Sequence, residues 1–197
     1  MTKTVYSLDG GTIWTTYQNP LVFKEDGVHT LSFRSVDGMG NEEQPQTITF
    51  SIDQTPPAVQ ISGGGTYTVD QTVTLSCTAT DTVSGIVYSS CSALLVNSPA
   101  YQLNIGDTTV SAYATDAAGN TGTATTTYTV KVTVDSLIEL LNKWITGNGA
   151  QGIVNSLENK LRHGQFDAFI NEVNARKGKK IPVEAANVLL KLVVKLK

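Results

Sequence analysis

The chain has 197 residues, 40% of them hydrophobic, which leaves room for two or three small domains. Its formal charge of -3 argues against nucleic acid as a partner, and no run of 18 apolar residues offers a membrane-spanning helix. The charge is unevenly spread: residues 1–134 carry -7 and residues 135–197 carry +4, which reads as modules built separately.

Residues 1–53 read as short strands joined by turns. Thr4-Val5-Tyr6-Ser7-Leu8 leads into Asp9-Gly10-Gly11, a hairpin turn signal, and residues 12–17 are the expected return strand. Asn19-Pro20 breaks that run, and Glu25-Asp26-Gly27 turns the chain into a strand from Val28. Ile48, Phe50 and Ile52 alternate with Thr49 and Ser51, so the last strand should bury one face. Asp53-Gln54-Thr55-Pro56-Pro57 then marks a boundary, because two prolines fix an extended path and block sheet pairing, giving a short, stiff linker.

A second β unit is expected to run from residue 54 to residue 134. It takes early apolar positions from Val59, Ile61, Val69, Val73 and Leu75, and later ones from Ala79, Ile86, Val110, Ala112 and Ala114. Residues 123–133 are almost a Thr/Val/Tyr ladder, a composition that favours strand. Both units contain the form Asp-x-x-Gly-Asn: Asp37-Gly38-Met39-Gly40-Asn41, and 79 residues on Asp116-Ala117-Ala118-Gly119-Asn120. Each follows strand-like alternation. The form predicts a hairpin turn in which Asp caps amides while Gly and Asn take positive φ. Two such hairpins imply tandem β-sandwich repeats.

Aligning the units on these turns sets Val5-Tyr6-Ser7 against Val87-Tyr88-Ser89 and leaves residues 56–86 without a counterpart in the first unit. The first sandwich is therefore expected to be incomplete, the chain to be a piece of a longer polypeptide, and residues 1–53 to be less stable than the rest.

Cys77 and Cys91 fall in the second unit. A disulfide between them would close a loop of about 15 residues, stabilise by roughly 3 kcal/mol, and place the protein in an oxidising compartment. The alternative is a pair of reduced thiols; the shared unit and its Thr/Ser/Gly-rich background favour the bond.

At Asp135 the apolar period changes from 2 to 3.6. Leu137, Ile138, Leu140, Leu141, Trp144 and Ile145 form a helical stripe, opened by Ser136-Leu137-Ile138-Glu139 as a capping box and closed by Gly147-Asn148-Gly149. Ile153, Leu157 and Leu161 mark a second helix ending at Gly164, and Phe166, Phe169, Ile170 and Val173 a third ending at Gly178. Pro182 suits a first helical position, with a fourth helix over residues 183–195. Residues 135–197 thus predict a small four-helix bundle.

These residues resemble known families. Tyr6-Ser7-Leu8-Asp9-Gly10-Gly11, Trp14, Tyr17, Gly27-Val28-His29-Thr30-Leu31, Arg34-Ser35-Val36-Asp37 and Gly40-Asn41 resemble a bacterial Ig-like repeat, a module strung in tandem along secreted and surface proteins. Asp81-Thr82-Val83-Ser84-Gly85-Ile86 and the second Asp-x-x-Gly-Asn turn are similar to Ig-like modules appended to bacterial glycan hydrolases. Phe166-Asp167-Ala168-Phe169-Ile170-Asn171 and Gly178-Lys179-Lys180-Ile181 resemble the FIMAH-type helical module that ends long secreted proteins of Gram-positive bacteria. The resemblances imply a multidomain protein, β then α, located outside the cell or on its surface. None of them implies catalysis.

No catalytic constellation accompanies these motifs. Ser7-Leu8-Asp9-Gly10-Gly11-Thr12-Ile13-Trp14 fits the Asp-box pattern of sialidase propellers, but that pattern is a fold device, and one copy cannot make a propeller. Trp14 and Tyr17 are candidates for a sugar-binding platform, against the commoner role of packing the hairpin. Asp37, Asp53, Asp81 and Asp116 lie near turns and the linker, where Ca²⁺ would stiffen a junction; turn capping is the plainer role, and no loop has EF-hand spacing. His29 and His163 lack the companions a zinc site or a catalytic triad needs. Arg176, Lys177, Lys179 and Lys180, joined in sequence by Lys191, Lys195 and Lys197, form either a solvated face or an attraction site for an anionic wall polymer or acidic glycan.

The sequence therefore predicts a non-catalytic accessory region of a secreted or surface multimodular protein, with no obligatory cofactor. Ig-like spacers would lead to a helical attachment module, and upstream domains of the same chain would be partners. The alternative is a carbohydrate-binding region that carries an upstream glycan-active enzyme to polysaccharide.

Overall fold

A computed structural model describes residues 2–197. Eleven strands precede four helices among the described residues, the order the change of apolar period predicts. Residues 3–52 form one antiparallel sheet, β2-β1-β3-β4, from β1 (Lys3–Ser7), β2 (Thr15–Thr16), β3 (Gly27–Val36) and β4 (Gln46–Ile52). No second sheet accompanies it within residues 3–52, which is the incomplete sandwich the repeat alignment implies. The return strand is shorter than residues 12–17. The Asp9 carboxylate accepts the amides of Thr12 and Ile13, at 3.0 and 2.9 Å, so these residues stay in the turn and only Thr15–Thr16 pairs.

The second repeat has two sheets. One has the order β6-β11-β10-β8, from β6 (Gly65–Thr68), β8 (Ile86–Ser89), β10 (Gly106–Asp116) and β11 (Thr121–Lys131). The other is β5-β7-β9, from β5 (Ala58–Ser62), β7 (Thr72–Thr80) and β9 (Val96–Pro99). The run β1-β3-β4 in the first repeat matches β8-β10-β11 in the second, strand for strand. Val73, Leu75, Ala112, Ala114, Tyr128 and Val130 alternate inward and are buried, while the threonines between them face out. Some of these threonines pair across the ladder, as Thr109 with Thr127 at 3.0 Å. Cys77 and Cys91 form a disulfide, Cα to Cα 4.9 Å, between β7 and the short 3₁₀ turn Ser90–Ala93.

Helix α1 (Val134–Trp144) starts two residues ahead of the predicted box. Thr133 is its N-cap: Thr133 Oγ1 accepts the Ser136 amide at 3.0 Å, and Ser136 Oγ accepts the Thr133 amide at 2.9 Å. Thr133 wins because β11 ends at Lys131, leaving it extended and its hydroxyl free to turn inward. Helices α2 (Ala150–Arg162), α3 (Phe166–Arg176) and α4 (Val183–Val193) follow; each packs on the next, and α4 closes on α1.

Contacts group the chain into two compact units. The first is Met1–Val59, Ala79–Ser89 and Tyr113–Thr123; the second is Gln60–Thr78, Ser90–Ala112 and Ala124–Lys197. Secondary structure changes near residues 53 and 134, but neither contact boundary falls there. The reason lies in the second unit, where one buried cluster runs from Val69, Val73 and Val130 into Leu137, Leu141 and Phe169. Only Val132 and Thr133 separate β11 from α1, so the helices start directly on the strands.

Replacing both cysteines by serine should lower the unfolding free energy by about 3 kcal/mol, the loop-entropy contribution of a bridge of this span. Urea denaturation with and without reductant checks this: reductant should weaken the native chain and leave the Cys77→Ser/Cys91→Ser chain unchanged.

Candidate functional site

The two Asp-x-x-Gly-Asn turns are built alike. Asp37 Oδ1 accepts the amides of Met39 and Asn41 at 2.8 and 2.9 Å, and its Oδ2 accepts the Asn41 side-chain amide at 2.8 Å. In the second repeat Asp116 Oδ1 accepts the Asn120 amide at 2.8 Å, and Oδ2 its side-chain amide at 2.9 Å. Gly40 and Gly119 take positive φ, at 88° and 93°, but among the described residues no non-glycine does. Asn41 and Asn120 are thus selected for a different reason than predicted: each pins both carboxylate oxygens of its aspartate.

The two carboxylates sit in different surroundings. Asp37 is exposed, and hydrogen bonds from the Asn41 side chain and from the Asn41 and Met39 amides hold its pKa below the ordinary carboxylate range. Asp116 is only 1% exposed. Burial pushes its pKa up, but the Asn120 side chain and the amides of Asn120, Gly119 and Ala118 outweigh that and hold it low.

Asp116 meets two other predicted residues in the first unit. Asp53, Asp81 and Asp116 each present an oxygen within 4.8 Å of the others; Asp37 is not in this group. Asp81 Oδ1 accepts the amides of Val83, Ser84 and Gly85, at 3.1, 3.0 and 2.7 Å. Asp53 Oδ2 accepts both the amide and the hydroxyl of Ser84. The Asn120 side chain also donates to the Asp53 carbonyl at 3.0 Å. The trio could offer three oxygens to a hard cation; calcium takes about six to eight, so water or carbonyls would supply the rest.

The linker is tied on its other side as well. Asp26 accepts the Gln54 amide at 2.9 Å and the Thr55 hydroxyl, which hold its pKa below the ordinary value. Gly122 lets the chain close over Pro57: a Cβ there would lie 1.9 Å from the Pro57 carbonyl oxygen. A lone glycine inside a threonine-rich strand was the available sign of this approach. Ser84 and Asn120 carried no comparable sign, because their partner Asp53 lies 31 and 67 residues away.

Trp14 and Tyr17 are placed apart in role. The Trp14 indole N–H donates to the Gly11 carbonyl at 2.9 Å, and the Arg34 guanidinium lies 4.1 Å from the ring centroid. Tyr17 meets Tyr6 edge to face and lines an apolar hollow with Leu21, Leu31 and Phe33, to which Trp14 does not contribute. Asp9 is held below its ordinary pKa by the Ile13 amide first and the Ser7 hydroxyl second. His29 stacks on Phe50 and contacts the Glu25 carbonyl at 2.7 Å, while His163 contacts the Asn159 carbonyl at 2.7 Å.

The basic cluster is partly engaged in the fold. Arg176 pairs with Glu172 at 2.8 Å, and Lys177 donates to the Asn187 side chain at 2.5 Å. Lys179 reaches the Ala175 carbonyl at 3.5 Å, and both Lys179 and Lys180 are exposed. Glu172 also binds Lys160 at 2.9 Å and Ser156 at 2.8 Å, which ties α3 to α2. Burial pushes the Glu172 pKa up, but Lys160, Ser156 and Arg176 together bring it below the ordinary value.

Residues 52–132 match the model of the HYR domain, which takes in the linker and all seven strands of the second repeat. A search of curated proteins finds no match. Among solved structures the chain is similar to the fibronectin(III)-like modules of Clostridium thermocellum CbhA, at 13% identity over 66% of this chain and 78% of that one, with a TM-score of 0.29. The two sheets, the disulfide and the HYR match together define the class of residues 52–132: an Ig-like β module.

Acid should weaken the Asp-x-x-Gly-Asn turns. A carboxyl with a depressed folded pKa stabilises the fold above its unfolded value, 3.8 here, and that contribution is lost as the pH falls through the lower folded value. Asp116→Asn should therefore lower the melting temperature clearly near about pH 7 and progressively less as the pH falls below 3.8 and the native carboxyl takes up its own proton. Calorimetric scans of both chains across this range make the comparison.

Proposed function

We propose that the chain is a non-catalytic accessory region of a secreted or cell-surface bacterial protein. Its Ig-like repeats serve as spacers, and its FIMAH-like helical part serves for attachment to an anionic wall polymer. The observation that carries the spacer reading is the junction at Asp53–Pro57. It is held by Asp26 on one side and by Ser84 and Asn120 on the other, with Gly122 closed over Pro57. A linker tied at both sides transmits orientation from one repeat to the next; a free one does not. The disulfide and the HYR match support an oxidising, extracellular setting.

The attachment reading rests on charge. Residues 135–197 carry +4 against -7 for residues 1–134, and Lys179 and Lys180 stand exposed at the turn before α4. An anionic polymer is drawn to such a patch without a shaped pocket.

The two parts are tested separately. Asp26→Ala combined with Asp53→Ala, which releases the linker and leaves the Asp116–Asn120 pair intact, should broaden the distance distribution between spin labels on β3 and β10 while both repeats stay folded; an unchanged distribution removes the spacer mechanism. The native chain should sediment with purified Gram-positive cell walls at low salt and be released as ionic strength rises toward about 1 M, where the screening length falls to about 3 Å. Failure to sediment at low salt removes the attachment role.

A further inference from the structure

The second unit contains a cleft of about 580 Å³ where the turn after β9 faces α1 and α4. Tyr101, Gln102, Lys143, Trp144, Glu184 and Lys191 line it. Its volume lies within the range of roughly 300–1,000 Å³ that small-molecule sites occupy. The sequence marks Trp144 only as part of an apolar helix stripe. In the fold it ends α1, half-buried, with its ring perpendicular to that of Tyr101 at a centroid distance of 5.0 Å.

The two tryptophans differ in what is left over. The Trp14 indole N–H is committed to Gly11 and its ring lies against Arg34. Among the described residues, neither the Trp144 indole N–H nor the Tyr101 hydroxyl has a hydrogen-bond partner. The charged groups of the cleft are also uncommitted. Lys160 and Lys197 are ion-paired, but among the described residues no ion pair engages Lys143 or Lys191. Tyr101 is fixed in place by its own turn, in which Ala100 donates to the Gln71 carbonyl at 2.8 Å and accepts the Leu103 amide at 3.0 Å.

We propose that this cleft binds an acidic saccharide, a uronic-acid-bearing stretch of an anionic glycan. A pyranose ring offers an apolar C–H face for the two aromatics and hydroxyls for Gln102, Glu184, the indole N–H and the phenol. Its carboxylate takes charge-assisted hydrogen bonds from Lys143 and Lys191. Two lysines against one glutamate leave the cleft positive, so it selects an acidic sugar over a neutral one. A phosphate is disfavoured at the same place: Pro182 supplies no N–H at the start of α4, and Glu184 lies in its first turn. The inference rests on the attachment reading of the helices and names the chemistry they would meet.

Calorimetric titration of the whole chain with an oligomer of galacturonic acid, and with a neutral gluco-oligosaccharide of equal length, tests it. The acidic oligomer should bind and shift the Trp144 indole N–H resonance while the Trp14 resonance stays still. Lys143→Gln with Lys191→Gln should weaken binding by about tenfold or more, equal to about 1.4 kcal/mol, at an unchanged melting temperature. Trp144→Phe, which keeps an aromatic ring but loses the N–H, should weaken it several-fold. No binding of the acidic oligomer, equal binding of the neutral one, or full binding by the lysine variant would each overturn the proposal. If the native chain sediments with walls but does not bind the acidic oligomer, the cleft proposal falls and the attachment reading stands. If the native chain binds the oligomer but never sediments with walls, the reverse holds.

Discussion

A carboxylate that an asparagine four residues on grips at both oxygens holds the β part of this chain in register. The arrangement occurs once in each repeat, at Asp37–Asn41 and at Asp116–Asn120. It suits strands made largely of threonine, valine and alanine, which pack a thin core and leave turn geometry to set pairing. In the second repeat the same asparagine also reaches the Asp53 carbonyl, so the turn that fixes β10 against β11 helps to seat the linker. One small motif thus serves both strand pairing and the junction between modules.

The two repeats put this motif to use under different conditions. In the first, a lone four-stranded sheet carries it at an exposed position, and apolar groups such as Val28 and Ile48 remain open to solvent. In the second, its aspartate is buried, with Asp53 of the linker and Asp81 of a loop beside it. A buried ionised carboxylate is tolerable only when its acceptor sites are met, and here side-chain and backbone amides meet them. The helices extend the second repeat in another way, because their apolar stripes join the cluster begun by Val69 and Val73.

Much of the architecture was legible in the sequence because its signals are local. Alternation over residues 46–52, the repeated five-residue turn and the change of period at Asp135 each lie within a few residues, and so do the helix stops at Gly164 and Gly178; the alternation marked a strand but not a buried face, since Ile48 is exposed and Phe50 and Ile52 are half-buried on a sheet that no second sheet within residues 3–52 covers. Smaller errors came from competition between neighbours: Thr133 took the cap expected of Ser136, and Asp9 held residues that would otherwise have paired. The sites were less legible because they are assembled from afar. Asp53, Asp81 and Asp116 come from a linker, a loop and a turn, and only folding brings their oxygens together. Trp144 and Tyr101 are 43 positions apart, and a helical stripe gives no sign of which member will end on a surface.

The bridge between Cys77 and Cys91 bears on how such a region would carry tension along its length. Force travelling down the polypeptide crosses from β7 to the 3₁₀ turn through sulfur and bypasses residues 78–90, including β8. That stretch is thereby taken off the load path, and its length cannot be paid out when the rest of the β module yields. A tether built this way has a fixed maximum reach, shorter than its residue count alone would allow.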